Sequence, residues 1–405
     1  MKRKVLMITP YLPYPLASGG QIRTYNLLKH LSKENAVYLI SLYKKKEDLK
    51  YLPELKKITY KIYPCKRAEN PWQPKLLLKA ITSPYPYLVI RNYSSEAKKT
   101  IAKLIKKERF NIIHAETFYV MPLIPKTSVP ILLAEQTIEF MVYQKFAKEL
   151  PFPIRLPFYF EIFKLKFWEK HFWEKATLVA PVSKHDEKII KTSTPKVKTT
   201  VIPNGAGDEM FVKKLPKRDI KNPLLLFIGN FLWLQNREPA TFLIQEVAPL
   251  LLKKIPHAQL VIAGQHLNEK LNFPKIPKNT KLIDIKEKES EKIKKLYKKA
   301  TLFLAPITGP GGTRLKILAA MAAGLPIIAT KTAVKGLGLK NKIHYLQAKN
   351  KQEYLKKIKQ ILENEEIYKK IQKNAWQLAK QKYSWEKIAQ KLEKIYETLE
   401  NKNHN

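Results

Sequence analysis

The apolar positions of this chain form short runs that alternate with amphipathic stretches. The runs are rich in Val, Ile and Leu, as expected for strands that are buried on both faces. The stretches between them repeat apolar residues at helical spacing. A first series of strands is predicted at residues 4–10, 36–42, 110–114, 129–134 and 177–182. A second series is predicted at residues 224–229, 259–264, 281–285, 301–305 and 326–329.

The turn signal Pro203-Asn204-Gly205 separates the two series. A chain of 405 residues is longer than one ordinary hydrophobic core supports. Strands that alternate with helices predict parallel, doubly wound sheets. We therefore predict an α/β protein with two Rossmann-like domains, residues 1–203 and 204–384, and expect ligands at the carboxyl ends of the strands.

Residues 300–330 contain the most informative local pattern, which predicts a strand, a glycine loop, a helix, a turn and a second strand. Thr313 is a natural N-cap after the glycines of residues 309–312. Arg314 and Lys316 add two cations at a helix start, where free backbone N–H groups attract anions. The pattern indicates a site for phosphate or pyrophosphate. The alternative is a tight loop in an α/β core with two solvated cations.

The charge of the chain is strongly positive, at +42 from 76 basic and 34 acidic residues. Only nine of the basic residues are Arg, the residue that grips phosphate with two parallel bonds. The lysine excess has two open interpretations, a compositional bias and attraction to an anionic surface. Cys65 is the single cysteine, and no apolar run reaches the length of a membrane span. We expect a cytoplasmic protein, at the inner face of the membrane if the charge is functional.

Residues 152–173 combine many aromatic residues with interleaved lysines. An amphipathic helix of this composition is typical of a membrane interface and predicts peripheral contact with an anionic membrane. Aromatic residues at helical spacing are also typical of a core, and this alternative stays open.

Three acidic residues and a histidine lie near the ends of predicted strands. His114 ends the run FNIIH, and Glu116 follows two residues later. Glu135 directly follows the run VPILLA, and Glu139 lies four residues later. At the carboxyl end of a strand these groups are placed to act on a hydroxyl group, and His114 and Glu139 are catalytic candidates. The alternative for His114 is a hydrogen-bonded structural residue.

The segment GGTRLKILAAMAAGLPIIAT resembles the donor-site segment of family 4 glycosyltransferases, which have the GT-B fold. Four further segments agree with this family in order and spacing. They are PYPLASGGQIRTYNLLKHL, VIPNGAGDEMF, FIGNFLWLQN with the downstream AQLVIAG, and YSWEKIAQKLEKIY. The resemblance spans nearly the whole chain.

The resemblance implies transfer of a sugar from a nucleoside-diphosphate sugar, with retention of the anomeric configuration. Two Rossmann-like domains would face a central cleft, with the acceptor, a glycan or a lipid-linked sugar, on the first domain and the donor on the second. The helix of residues 385–400 would cross back to the first domain. Neither a cofactor nor a metal is expected, and the sequence has no Asp-x-Asp pair that would hold one. We therefore expect a role in the biosynthesis of a cell-surface polysaccharide or glycolipid.

Individual positions carry these roles over from the family. The donor-binding residues implied are Gly229, Asn236, Gly264, Gly311, Gly312, Thr313, Arg314 and Lys316. The acceptor and cleft residues implied are Gly19, Gly20, Arg23, Asn204 and Gly205. Gln136 occupies the position of a His that aligns the reacting sugar in relatives, and we group it with His114 and Glu139 as the catalytic candidates.

Four positions depart from the family pattern. Gly311 and Ala319 replace two acidic residues, the second of which holds the donor ribose. Asn230 and Gln235 replace an Arg and a Lys. Ala319, Gln136 and Gly311 motivate an alternative function, a non-catalytic member that binds a glycan or acts as a scaffold. Binding of nucleic acid is motivated by charge alone, lacks a supporting motif, and is not expected.

Overall fold

The computed structural model describes residues 2–70, 72–286, 289–309 and 315–401. It divides into two compact units. Unit 1 comprises the residues up to Pro203 and those from Ile388 onward. Unit 2 comprises Asn204–Lys387. We describe each unit by itself.

Unit 1 contains a six-stranded parallel sheet with the strand order β3-β2-β1-β4-β5-β6. Its strands are β1 (Arg3–Thr9), β2 (Asn35–Tyr43), β3 (Lys61–Lys66), β4 (Ile112–Glu116), β5 (Ile131–Glu135) and β6 (Leu178–Pro181). Its helices are α1 (Gly19–Leu31), α2 (Leu52–Lys56), α3 (Pro74–Thr82), α4 (Tyr87–Asn92), α5 (Ser95–Lys107), α6 (Glu139–Glu149), α7 (Phe152–Lys175) and α8 (Lys184–Ser193). The strand order reverses at β1 and β4, and doubly wound sheets bind ligands at such a point.

Unit 2 repeats the same topology, with the order β12-β11-β10-β7-β8-β9. Its strands are β7 (Leu224–Asn230), β8 (Gln259–Gln265), β9 (Thr280–Asp284), β10 (Leu302–Ala305), β11 (Ile327–Ala329) and β12 (Leu346–Gln347). Its helices are α9 (Leu234–Phe242), α10 (Ala248–Lys254), α11 (Leu267–Lys270), α12 (Ser290–Lys299), α13 (Leu315–Ala322), α14 (Lys351–Glu363) and α15 (Glu365–Lys382). A last helix, α16 (Trp385–Asn401), begins in unit 2 and continues in unit 1.

The predicted fold class is confirmed, since both sheets are parallel and surrounded by helices. Each sheet has one strand more than the apolar runs predicted. The strand β3 lies at a sheet edge, contains Pro64, and buries only Cys65 fully, so it lacks an apolar run. The strand β12 is two residues long. Edge strands that are short or interrupted carry little hydrophobic signal.

The first strand and the last helix are joined by charged contacts within unit 1. Val5–Ile8 of β1 are fully buried, as a central strand requires. At its start, the guanidinium of Arg3 lies 2.6 Å from the carboxylate of Glu393 and 2.7 Å from that of Glu400. The amide of Asn35 also donates to Glu393, at 2.5 Å. These contacts fix α16 against the strands of unit 1.

Two glycines face each other at the carboxyl ends of neighbouring strands of unit 2. Gly229 and Gly264 are paired across β7 and β8. Gly264 has φ of +144°, and a Cβ there would lie 1.7 Å from the carbonyl oxygen of Gly229. No side chain fits at this position without moving the backbone.

Replacing Gly264 therefore tests the close approach of the two strands. We expect Gly264→Ala to destabilise the protein by more than about 3 kcal/mol, because backbone strain and a steric clash act together. Gly338→Ala is the matched control, since Gly338 has φ of +62° but no atom within 4 Å of an added Cβ. The control should cost only about 1 kcal/mol. Equal losses in scanning calorimetry would contradict the proposed clash.

Candidate active site

A buried polar cluster lies at the carboxyl ends of the central strands of unit 1. Glu116 ends β4 and is fully buried. The amide Nε2 of Gln136, just after β5, donates to Glu116 at 2.7 Å and to the Tyr11 hydroxyl at 3.0 Å. His114 places its Nε2 at 3.2 Å from the other Glu116 oxygen. The cluster forms because parallel strands bring their carboxyl ends to one edge of the sheet.

Glu116 is held as an anion by its neighbours. Burial alone would raise its pKa, but the adjacent His114 imidazole and the charge of Arg23 outweigh burial, and the pKa is lowered. The Nε of Arg23 lies 4.0 Å from Glu116. A buried carboxylate of this kind is stable only when it is paired and hydrogen-bonded. Gln136, which is half-buried, is therefore oriented by an ionised partner.

Tyr396 of α16 completes the cluster and was not found from the sequence. Its hydroxyl lies 2.5 Å from Nδ1 of His114, and both residues are buried. The contact fixes the orientation of the imidazole ring. His114 is 1% exposed, and its ring nitrogens face Glu116 and Tyr396 rather than a ligand. Nothing in the helical spacing of α16 indicates this hydroxyl contact.

The implied acceptor and cleft residues have different environments. Gly20 lies beside the chain's own side chains, since a Cβ there would be 2.3 Å from the Tyr11 hydroxyl and 2.9 Å from Gln136. Gly19 begins α1 in the same loop. Arg23 is buried and donates to the carbonyl groups of Ile202 and Pro203. Its position is that of a structural group rather than of a ligand-facing cation.

Asn204 and Gly205 belong to unit 2. Asn204 is buried, with 8% of its surface exposed. A Cβ at Gly205 would lie 2.7 Å from the indole ring of Trp385. The glycine is therefore required for packing against this buried tryptophan.

Unit 1 contains three further carboxyl groups outside the cluster around Glu116. Glu169 of α7 is buried and accepts from the backbone N–H groups of Glu139 and Phe140, at 2.9 and 3.0 Å, so it caps α6. Glu135 accepts from the indole N–H of Trp173 at 2.9 Å. Burial, together with the charge of Glu169, raises the pKa of Glu135 well above its ordinary value. Burial raises the pKa of Glu139 to about 7, against an opposing effect of the Arg91 charge.

A separate polar group occupies the carboxyl end of β7 in unit 2. The ammonium group of Lys316, in the first turn of α13, donates to Oδ1 of Asn236 at 2.5 Å. The Nδ2 of Asn236 donates to the Asn230 carbonyl at 2.7 Å. Gly229 makes room for this arrangement, because its Cβ would lie 2.9 Å from that of Asn236. The arrangement holds a cation at the end of a central strand.

Two implied donor-site positions are therefore brought together, and others remain undescribed. Gly311, Gly312, Thr313 and Arg314 lie outside the described residues. Ala319 is half-buried on α13, one turn after Lys316. Within the described ranges, no group of three or more His, Cys, Asp or Glu side chains is arranged to hold a metal ion. The expectation that the protein needs no metal stays a prediction.

A comparison with protein families matches residues 222–364 to the model described as Glycosyl transferases group 1. A curated relative is the "Uncharacterized 44.6 kDa protein in cps region" of Klebsiella pneumoniae. It is 23% identical over 394 residues, which cover 95% of this chain and 97% of the relative. The matched family segment contains β7 to β12 and thus the Lys316–Asn236 pair.

Several solved structures share the fold over almost the whole chain. Sucrose-phosphate synthase from Thermosynechococcus elongatus is 16% identical, covers 98% of this chain and 99% of its own, and has a TM-score of 0.69. TarM is 14% identical, with coverage of 98% and 99% and a TM-score of 0.66. Anabaena HepE in complex with UDP is 15% identical, with coverage of 98% and 100% and a TM-score of 0.63.

The chain has the GT-B fold. At these identities the structures establish the fold alone. The matched domain and the structural neighbours together support a GT-B glycosyltransferase. The described part of the chain contains no helix that is long and apolar enough to cross a membrane.

The raised pKa of Glu139 predicts a pH-dependent stability. The folded protein holds the Glu139 proton up to about pH 7, whereas the unfolded chain releases it near the ordinary value of 4.5. Glu139 therefore destabilises the fold increasingly as the pH rises through this window. Glu139→Gln has no proton to release, so we expect its stability relative to the natural protein to increase between pH 4.5 and 7, by at most about 3 kcal/mol.

Denaturant unfolding at several pH values measures this effect. The exposed Glu174→Gln is the control for loss of one negative charge on unit 1. Its stability difference should stay flat across the window. Parallel curves for Glu139→Gln and the natural protein would contradict the raised pKa.

Proposed function

We propose that this protein is a glycosyltransferase that moves a sugar from a nucleoside-diphosphate sugar to a glycan or lipid-linked acceptor with retention of configuration. The observation that carries the proposal is the Lys316–Asn236 pair at the end of β7, inside the segment that matches Glycosyl transferases group 1. HepE, whose structure contains UDP, supports a nucleotide donor. The relative from the cps region supports a role in polysaccharide biosynthesis.

In this proposal, Lys316 neutralises the diphosphate of the donor. Its ammonium group is held by Asn236 and lies 4.8 Å from the centre of the Phe227 ring. A lysine that is already fixed in position loses little side-chain freedom when it binds phosphate. Neutralising the diphosphate favours departure of the nucleotide, because negative charge accumulates there as the sugar bond breaks.

Unit 1 supplies the groups for the acceptor in this proposal. Gln136 has an amide that is oriented by the Glu116 carboxylate and the Tyr11 hydroxyl. An amide donates and accepts hydrogen bonds but does not take up a proton at neutral pH. Gln136 would therefore align the sugar, and the leaving phosphate would accept the proton of the acceptor hydroxyl. His114 and Tyr396 are positioning residues for Glu116.

A second candidate function is a non-catalytic protein that binds a glycan or acts as a scaffold. Both hydrogens of the Gln136 amide nitrogen can be occupied by Glu116 and Tyr11. Ala319 offers no carboxylate for a ribose. These two observations favour weak or absent catalysis. Detection of sugar transfer or donor hydrolysis would exclude this candidate.

Helices α3, α6 and α7 of unit 1 expose an apolar surface, which we call the aromatic face. The ring of Phe158 on α7 stacks on Tyr143 of α6, and the Lys164 ammonium donates to the Ala80 carbonyl on α3. Both contacts hold the three helices together. The exposed members of the aromatic face are Leu78, Ile81, Val142, Phe146, Phe152, Leu156, Phe160, Phe163 and Phe167.

The two interpretations of residues 152–173 apply to different parts of α7. Leu165, Phe172 and Trp173 are buried in the core of unit 1. By contrast, Phe152 and Phe163 are 71% and 66% exposed. Exposed Lys145, Lys148 and Lys166 lie on the same helices. Aromatic side chains beside lysines favour contact with an anionic membrane, where the proposed acceptor would be anchored.

Replacing Lys316 tests the donor site. We expect Lys316→Ala to weaken binding of the preferred nucleotide, chosen by a thermal-shift screen of UDP, GDP and ADP sugars, by roughly tenfold to a hundredfold. Lys349→Ala is the matched control, because the Lys349 side chain is exposed and only its backbone N–H donates a hydrogen bond among the described residues. Isothermal titration measures both variants.

The binding measurements test the proposed donor site. Equal small effects of both lysine variants would show that α13 does not hold the phosphates. The absence of binding for every nucleotide would overturn the proposed donor. Once an acceptor that receives the sugar is found, NMR signals of the anomeric protons show whether the product keeps the configuration of the donor.

Replacing two residues of the aromatic face tests membrane contact. We expect Phe160→Ser with Phe163→Ser to reduce co-sedimentation with phosphatidylglycerol vesicles severalfold, because apolar area is lost from the interface. The control is Ile276→Ser with Ile343→Ser, two exposed apolar residues of unit 2. Equal sedimentation of the three proteins, or no preference for anionic over neutral vesicles, would contradict a membrane role for this surface.

A further inference from the structure

Three cations of unit 1 lie beyond the carboxyl ends of β2 and β3, outside the cluster around Glu116. Lys44 directly follows β2, and Arg67 directly follows β3. The two strands pair at Tyr43 and Lys66, and the Arg67 backbone N–H donates to the Tyr43 carbonyl at 3.0 Å. Arg91 is the third cation and lies on α4. We call these residues the cation cluster.

The members of the cation cluster act on one another. Burial, followed by the charge of Arg91, lowers the pKa of Arg67 to about 10. Burial and the charges of both arginines lower the pKa of Lys44. The charge on one member of the cluster therefore disfavours protonation of its neighbours. Like charges gathered in a partly buried place destabilise a protein unless something binds them.

No protein group in the described part of the chain neutralises the cluster by an ion pair. The Nε atoms of Arg67 and Arg91 are buried and have no hydrogen-bond partner among the described residues. Asp48 is the acidic residue whose charge acts on Lys44 and Arg67. Its carboxylate accepts from the backbone N–H groups of Lys44 and Lys45, at 3.3 and 3.0 Å. The cation cluster therefore carries more positive than negative charge, which suits a phosphate group.

Tyr119 connects the cation cluster with the catalytic candidates. It lies in the turn Phe118–Leu123 after β4. Burial raises the pKa of Tyr119, and the charges of Glu139 and Tyr11 add to the rise, whereas the Arg91 charge opposes it. One side chain is thus within electrostatic reach of both groups. An anion held by the cation cluster would lie on the same edge of the sheet as Gln136.

We propose that Lys44, Arg67 and Arg91 bind the phosphate or diphosphate group of a phosphorylated acceptor. Two arginine forks suit phosphate because each can form two parallel hydrogen bonds. The word acceptor rests on the proposed glycosyltransferase function, but binding of the anion does not. The phosphate can be carried by a sugar or by a lipid chain, and the experiment separates these two sources.

Isothermal titration of the full chain tests this site with two probes that lack a nucleoside, glucose 1-phosphate and decyl phosphate below its micellar concentration. Arg67→Met with Arg91→Met should weaken both probes at least roughly tenfold, since charge-assisted bonds are lost. The variant should leave nucleotide binding unchanged, and Lys316→Ala should show the reverse pattern. The probe that binds the natural protein more tightly identifies the source of the phosphate.

The matched control removes the same charge at the other end of the sheet. Lys103→Met with Arg109→Met replaces exposed residues of α5 and of the loop before β4, and should leave every probe unaffected. Arg67→Lys keeps the charge but not the fork, and should give an intermediate affinity. Failure of nucleotide binding in all variants would overturn the proposed function without affecting the result for the anion.

Thermal unfolding separates a binding role from a structural one. If the three cations repel one another in the absence of an anion, Arg67→Met with Arg91→Met should melt at a higher temperature than the natural protein without ligand. In proteins that also carry Lys316→Ala, which removes the proposed donor-site cation, pyrophosphate should raise the melting temperature when Arg67 and Arg91 are present but not when both are Met. A lower melting temperature without ligand, or equal loss of affinity in the control, would overturn the proposal.

Discussion

The ionised carboxylate of Glu116 is the constraint on which unit 1 depends. A buried charge is stable only if every neighbour is placed to satisfy it, and these neighbours come from distant parts of the sequence. Gln136 follows β5, Arg23 lies on α1, and His114 is itself held by Tyr396 of α16. Arg23 also binds the carbonyl groups at the end of unit 1. One charge thus joins the first helix, the central strands and the last helix, so that the side chain proposed to touch the sugar is fixed before any ligand binds.

The environment on the other side of Gln136 has the opposite character. Glu135 and Glu169 are buried, Glu139 is half-buried, and burial raises the pKa of each. Carboxyl groups that keep their protons near neutral pH donate as well as accept hydrogen bonds. Glu116 keeps its charge because His114 and Arg23 are close, whereas the other three lack such partners. Glu116 and the three other glutamates therefore differ in pKa because their immediate electrostatic surroundings differ.

The sequence predicted the architecture better than the site, for a physical reason. Buried parallel strands require apolar runs, so β1, β7 and β8 are visible in the pattern, whereas the edge strand β3 with Pro64 is not. The pairing of Lys316 with Asn236 depends on two segments that are 80 residues apart and meet only in the folded sheet. Tyr396 and Glu169 have ordinary helical spacing, and nothing in that spacing reveals a polar contact. Spacing along the chain reports burial, but it does not report which buried groups meet.

The positive charge of the chain acquires a different meaning once arginine and lysine are considered separately. Lysines make up most of the excess, and Lys164 is the one described lysine that is fully buried. Of the arginines in the described ranges, Arg109 alone is fully exposed. A solvated lysine changes the long-range field without specifying a contact, whereas a half-buried arginine is retained only where its donors are needed. The lysine excess is therefore consistent with composition or with attraction to a membrane, and it does not decide between them. Arg67 and Arg91 are half-buried arginines of this kind, and the proposed phosphate would bind their donors.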